Sequence, residues 1–261
     1  MKTTWGLGDY PAMAELLLPA AKVLLDALDI KPGERVLDLA CGTGNAAILA
    51  AQKGARVVGV DLEPALLEIA AGRAAEKDLV IEWIEVDARA APFPPASFDV
   101  VLSVFGVMYV PDQRQAVRSV ARLCRRGGII GLTAWAPNGF MPAMGRVLAP
   151  FLPPSPPGSY PPERWGDEAW LSGLFGAEGI HSLRSARRAI PLHFEDVQEA
   201  RDLLVATAGH VIAERPRLLE EGKWNDLLAD LSGLVRQSNR AHGLGVTLNL
   251  DYLATLVQMP D

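Results

Sequence analysis

The chain is poor in residues that mark several function classes. Two cysteines in 261 residues, Cys41 and Cys124, exclude a disulfide scaffold and a CxxC metal site. Reduced thiols are the simple account, and MKTTWGLGDYPAM has no apolar signal core, so the expected place is the cytoplasm. The four histidines, His181, His193, His210 and His242, are spaced as in no metal motif, so no metal is expected. Basic residues are outnumbered: 25 Lys and Arg stand against 31 Asp and Glu, a formal net charge of −6. With no basic patch and no aromatic–basic ladder, nucleic acid is not an expected partner. Arg125–Arg126 and Arg187–Arg188 read as solvated element ends. Charge is missing altogether from 127–145, a length close to a membrane span, yet the glycines and prolines spread through it argue against one.

What is present supports a real core. Apolar residues make up 49% and charged residues 21%. The length suits a single domain over 1–261, with a binding core at about 30–135. Cover elements are expected at about 1–28, 137–165 and 190–243.

Periodicity gives the order of elements. Leu17, Ala21, Leu24 and Leu28 share one stripe, which predicts a helix over 11–28, kinked or restarted at Pro19. Strands are predicted at 35–39, 55–60, 80–86, 99–104 and 129–134. Helices follow at 45–52, from Pro64 to about Ala75, and from Pro111-Asp112 to about Cys124. Gly127-Gly128 reads as a turn. Helices alternating with almost wholly apolar strands describe a parallel sheet covered on both faces.

After Trp135 the pattern breaks. Residues 137–162 contain nine prolines, and between Arg126 and Glu163 only Arg146 is charged. Regular helix is not expected there. An uncharged loop stiffened by proline, lying over an apolar site, is the favoured reading. Further on, a helix is expected at 167–175, a strand at 180–188, helices at 195–208 and 223–237 with a helical piece between, and a last strand at 244–258.

The most informative stretch is VLDLACGTG at 36–44. An apolar strand ends at Asp38 and runs into a loop with Gly42 and Gly44, where glycine permits close backbone approach and dihedrals closed to other residues. The helix behind it aims free N–H groups at the loop, which suits a phosphate or a carboxylate. Asp61 closes the next strand, placed to accept ribose hydroxyls. Gly42-Thr43-Gly44-Asn45-Ala46-Ala47 also fits the dinucleotide pattern G-x-G-x-x-A. Asp38 argues against that reading, because a carboxylate there repels a pyrophosphate but suits a cationic amine or sulfonium. S-adenosylmethionine fits the set better.

These motifs resemble those of the class I S-adenosylmethionine-dependent methyltransferases, in the small-molecule branch related to quinone-biosynthesis enzymes. LDLACGTG at 37–44 matches the glycine motif. GVDLEPALLEIA at 59–70 matches the ribose motif, and VDARAAPFPPASFDVVLS at 86–103 the adenine and fourth-strand motifs. The resemblance implies an α/β, Rossmann-like fold with a seven-stranded sheet, order 3-2-1-4-5-7-6, the seventh strand antiparallel, and an inserted helical cap. It implies that Asp38 positions the methionyl amine, that Gly42 and Gly44 floor that end, and that Ala40 belongs to the same loop. Asp61 would take the ribose, Leu62 one adenine face, Asp87 the adenine amino group and Ala88 the ring through its N–H. Ser103 would face the methionine part. The product cofactor would be S-adenosylhomocysteine.

On the acceptor side the residues say less. Any of His193, His210 and His242 could act as a base near neutral pH. Trp5, Tyr10, Phe105, Tyr109, Trp135, Phe140, Phe151, Tyr160 and Trp165 are candidate cover residues, of which fewer than half are expected to face a ligand. Nothing in 137–162 or 190–243 maps onto the acceptor regions of the quinone enzymes. The expected function is methyl transfer to a small, partly apolar metabolite, at oxygen. Nitrogen or carbon acceptors, a protein substrate, and a cofactor-retaining scaffold or binding protein without methyl transfer stay open. Monomer and homodimer both fit.

Overall fold

In the computed structural model, residues 4–154 and 158–261 are described. The apolar runs form strands β1 (Arg35–Leu39), β2 (Arg56–Asp61), β3 (Glu82–Glu85), β4 (Phe98–Val104), β5 (Cys124–Trp135), β6 (Ser182–Phe194) and β7 (Val246–Gln258). They make one sheet in the order β3-β2-β1-β4-β5-β7-β6. The first five strands run parallel, and β7 runs antiparallel to both neighbours. This is the Rossmann-like class I order. The chain leaves β1 in one direction to β2 and later returns to β4 on its other side. Turns beyond β1 and β4 therefore splay apart at a topological switch point, where open α/β sheets bind ligands.

Period-two alternation splits the core in two. Val36 faces α1 (Tyr10–Leu28) and α2 (Asn45–Gln52), packing with Leu24, Leu25, Ala46 and Ala50. Leu37 and Leu39 face the other side, with Val117 and Val120 of α4 (Gln113–Leu123). Each such leucine, fully buried, contributes about 1.5–3 kcal/mol. Asp38 shares Val36's face, so the sheet's alternation turns its carboxylate toward α2.

Some expectations need correcting. Helix α1 runs as one element through Pro19 with no restart; Leu17, Ala20 and Ala21 bury it on both sides of the proline. Gly127-Gly128 does not end an element. It lies inside β5 as a bulge: the partner of Phe98 is Cys124, and the partner of Val100 is already Ile129. Gly127 takes φ +63°, which explains the glycine there. Residues 137–162 do contain regular helix, α5 (Phe140–Leu148). Pro142 is its third residue, where an N–H has no intrahelical acceptor to lose. The Pro156-Pro157 pair of the expected loop lies outside the described residues.

After α6 (Glu168–Gly176), three helices, α7 (Val197–Thr207), α8 (Gly209–Glu220) and α9 (Trp224–Ser238), stand between β6 and β7 in the chain. Asp196 caps α7 by accepting the N–H groups of Gln198 and Glu199. The α7–α8 junction is bonded to the N-terminal segment: Asp9 N donates to Ala206 O at 2.8 Å. Of the two cysteines, Cys124 is buried and Cys41 partly so; neither is paired.

Candidate functional site

The site grows from the register of β1 on β2. Asp38 pairs with Gly59 and Leu39 with Val60, so the turns after the two strands lie side by side. Cys41 N donates to Val60 O at 3.0 Å. Asp61 then joins them: its Oδ2 accepts from Gly42 N at 2.7 Å, and its Oδ1 from Glu63 N at 3.0 Å. Val86 N donates to the Asp61 carbonyl at 2.9 Å, which brings in the turn before Asp87. One residue thus fastens three strand ends.

Gly42 and Gly44 hold φ +54° and +80°. Gly44 is also pressed from below, since a Cβ there would stand 2.7 Å from the Trp83 ring of β3. Arg73 of α3 (Pro64–Ala75) clamps the loop's middle through the Thr43 carbonyl at 2.6 Å and hydroxyl at 3.0 Å. Ala40 sits at φ +53°, strained for an alanine, and fills the space where Gly106 would otherwise carry a Cβ, 2.6 Å away. Ser103 is fully buried. It donates to Leu39 O at 2.6 Å and accepts from Val107 N at 2.9 Å, so its hydroxyl pins the turn after β4.

Two carboxylates carry the electrostatics. Asp38 is buried and accepts from Ala47 N, the third N–H of α2, at 2.9 Å. Burial pushes its carboxyl up to about 8, against the pull of that N–H and with a small push from Asp61. Burial also raises Asp61, against its bonds from Gly42 and Glu63. Both are groups that a cation would return to the ionised form.

The remaining candidates lie at the same edge. Leu62 is half exposed just past β2. Asp87 is held by Arg89 through a backbone N–H and a two-point ion pair, which lowers its carboxyl below the usual range. Ala88 opens the short turn that Asp87 caps.

Tyr10 was absent from the sequence-derived cofactor set, although it counted among the cover aromatics. Its ring lies against Gly42, and burial, followed by the Asp61 charge, holds its hydroxyl above the ordinary phenol range. Arg73 and Trp83 carried no signal in the sequence, because their parts depend on packing across the loop.

Beside Tyr10 opens a cavity of about 690 Å3. Its walls come from the N-terminal segment, the turn after β4, the α5 region with residues 159–163, and the α7–α8 junction. Six of the nine candidate cover aromatics line it: Trp5, Tyr10, Phe105, Tyr109, Trp135 and Tyr160. That exceeds the fewer than half expected. Phe140, Phe151 and Trp165 are buried in the core instead. Phe105 stacks on Trp135 at 3.8 Å and holds φ +55°, another strained residue at this edge. Of the histidines only His210 lines the cavity, and burial lowers its pKa. His193 is exposed and bonds Thr247, and His181 and His242 are exposed. Among the described residues no cluster of His, Cys, Asp or Glu could hold a metal, and no helix is long and apolar enough to cross a membrane.

Comparison with known proteins agrees with this geometry. The model of a family described as "Methyltransferase domain" matches residues 36–128, from β1 into β5. An uncharacterized protein of Mycobacterium tuberculosis is 40% identical over 216 residues, 81% of this chain and 77% of that one. The aklanonic acid methyltransferase DauC of a Streptomyces species is 34% identical over 166 residues, 59% of this chain and 72% of that one. Among solved structures, the YcgJ protein from Bacillus subtilis superposes with a TM-score of 0.64 at 18% identity, covering 93% of this chain and 99% of that one, which shows a shared fold. With the glycine loop, the strand order and these relatives in agreement, the chain belongs to the class I S-adenosylmethionine-dependent methyltransferases.

Proposed function

We propose that the chain binds S-adenosylmethionine over Asp38, Ala40, Gly42, Gly44, Asp61, Leu62, Asp87 and Ala88, and transfers its methyl group to an oxygen of a small, partly apolar metabolite. One observation carries the reading. Tyr10 touches the glycine loop on one side and lines the large cavity on the other. The cofactor loop and the acceptor space therefore share a wall.

The residues fit the cofactor. Left-handed glycines leave a cradle without side chains, Asp61 keeps acceptor capacity for hydroxyl donors, and Asp38 is a buried carboxyl that a cationic amine would ionise. When bound, S-adenosylmethionine supplies an electrophilic methyl group. The chain's own part is to align an acceptor, exclude water and handle one proton. The N-terminal segment and the helices between β6 and β7 serve as cap. His210 is the base: burial keeps it neutral, so it can take the proton of an acceptor hydroxyl as the oxygen gains the methyl carbon. Ser103 acts only by holding its turn. The acid named for the Streptomyces relative supports a small-molecule acceptor here, and a demethylmenaquinone methyltransferase of Thermus thermophilus, 37% identical over 41% of this chain, gives weak support to quinone precursors.

A panel of phenols, carboxylic acids and amines, assayed for release of S-adenosylhomocysteine, tests the reading. Turnover of hydroxyl or carboxyl acceptors is expected, with His210→Ala removing the fall in rate on the acid side of the pH profile. Saturable binding of NAD with none of either sulfur cofactor would overturn it. So would robust labelled methyl transfer to RNA or DNA with none to small molecules.

A further inference from the structure

The acceptor cavity has an unusual wall. The whole chain contains six methionines, and four of them, Met13, Met108, Met141 and Met144, line this one space. They arrive from three separate elements: α1, the turn after β4, and α5. Six aromatic rings share the lining with them. Core packing alone does not call for this concentration, since leucine, valine, alanine, isoleucine and phenylalanine make up most of the rest of the interior.

Each residue type has a physical consequence. Methionine is unbranched and polarisable, so it refits to ligands of different outline and makes favourable contacts with ring edges and faces. Aromatic side chains prefer offset stacking or edge contact with other rings. Part of the wall is stiff: Phe105 lies 3.8 Å from Trp135 at an interplanar angle of 14°, and Tyr252 braces it edge-on at 5.5 Å. The other part is adaptable, because Met141 and Met144 bring unbranched thioethers to the cavity from α5. Fixed charge is scarce. Arg146 is exposed, and Glu163 and His210 complete the set of acidic, basic and imidazole side chains in the lining. The other polar groups of the lining are hydroxyls and indoles, and Arg146 is its one guanidinium, so a phosphate finds a single cationic side chain there. The volume, about 690 Å3, lies within the range of pockets that enclose drug-sized ligands.

We propose that the acceptors are planar polycyclic aromatics bearing one ionisable hydroxyl, admitted as a class by a rigid aromatic wall and an adaptable methionine wall. This rests on the methyltransferase reading for its biological meaning, but the cavity's preference is measurable without it. A saturated chain would fill the same space without exploiting ring stacking or sulfur–ring contact.

Binding titrations with naphthol, phenanthrol and a hydroxyanthraquinone test the class, run with and without S-adenosylhomocysteine. Decahydronaphthol and dodecanoic acid serve as saturated competitors. The three planar phenols are expected to bind within about tenfold of one another, and each at least about tenfold more tightly than either saturated compound. In M141L/M144L, which keeps apolar volume but loses the unbranched thioethers, the spread among the planar phenols should widen beyond about tenfold. Equal or tighter binding of decahydronaphthol or dodecanoic acid would overturn the proposal, as would an unchanged spread in the double variant. Bound S-adenosylhomocysteine with no planar phenol bound would sink this inference and leave the proposed function standing. Bound phenols with no binding of either sulfur cofactor would do the reverse.

Discussion

The Tyr10 ring lies on Gly42: a Cβ built on the glycine would stand 3.2 Å from Tyr10 Cε1. The first residue of α1 therefore covers the loop that follows β1. It reaches that place because Asp9 caps the helix, accepting from Ala12 N at 3.2 Å, while Asp9 N is fixed to Ala206 O. Trp5 packs edge-on against both Tyr10 and Tyr109, so the cover is an aromatic cluster and not a lone ring.

Truncating Tyr10 should consequently loosen the cofactor end without unfolding the sheet. Tyr10→Ala is expected to weaken S-adenosylhomocysteine binding by at least about tenfold. Tyr10→Phe keeps the ring against Gly42 and should lose much less. Calorimetric titration distinguishes them; equal affinity in wild type and Tyr10→Ala would show that the ring does not cover the bound ligand.

Asp38 gives a pH dependence with a definite sign. Burial lifts its carboxyl to about 8 from an ordinary value of 3.8. Across that window the folded chain holds a proton that the unfolded chain has released. This group's contribution to ligand-free stability is therefore full below 3.8, falls as pH rises toward about 8, and is lost above it. Asp61, also raised, acts in the same direction. A cationic cofactor reverses the balance by favouring ionised Asp38, so binding should release protons below about pH 8 and tighten as pH rises toward that value. Calorimetry in buffers of different ionisation enthalpy would count the protons. Proton release undiminished in Asp38→Asn would assign it to another group.

The loop and strand ends of the proposed cofactor site were far more legible in the sequence than the walls of the cavity beside it, for a physical reason. Glycines at 42 and 44 and aspartates at 38 and 61 are dictated by local backbone geometry and by strand ends, so spacing alone locates them. Tyr10, Arg73 and Trp83 act across the fold, and no local pattern marks them. Ser103 illustrates the opposite case. A motif position pointed to it, but the hydroxyl gives its one proton to Leu39 O and accepts from Val107 N, so what it visibly does is hold a turn. The proline-rich stretch hid helix α5 because Pro142 falls in the one turn where proline is tolerated. His210 was one of several equal histidines until the α7–α8 junction placed it on the cavity.

Gly59 is a second position set by Trp83. It lies inside β2 with ordinary dihedrals, yet a Cβ there would come within 2.4 Å of Cζ3 of the indole. Gly59→Ala should therefore destabilise by about 1–3 kcal/mol through overpacking. For a chain of this size that lowers Tm by about 2–4 °C per kcal/mol. Replacing Trp83 by Leu in the same chain should recover much of the loss. A thermal melt of Gly59→Ala equal to wild type would mean that the ring moves aside at no cost.

The N-terminal segment is locked to the α7–α8 junction through backbone contact at Gly209. A Cβ there would stand 1.9 Å from Thr4 O, and one on Gly8 would stand 3.0 Å from Ala206 O, Thr207 O and Gly209 N. Neither side can yield by turning a side chain, because the opposing atoms are main chain. Gly209→Ala should therefore push residues 4–9 off the α7–α8 junction while leaving the sheet intact. Chymotrypsin should cleave after Trp5 about tenfold faster, since local opening there becomes easier. Binding should weaken both for S-adenosylhomocysteine and for cavity ligands, because the same segment walls both spaces. Gly233→Ala in α9 is the matched control: nothing lies within 4 Å of the added carbon, and alanine is the better helix former by about 1 kcal/mol. If the two variants were cleaved at the same rate, the glycine contact would not be what holds the cover in place.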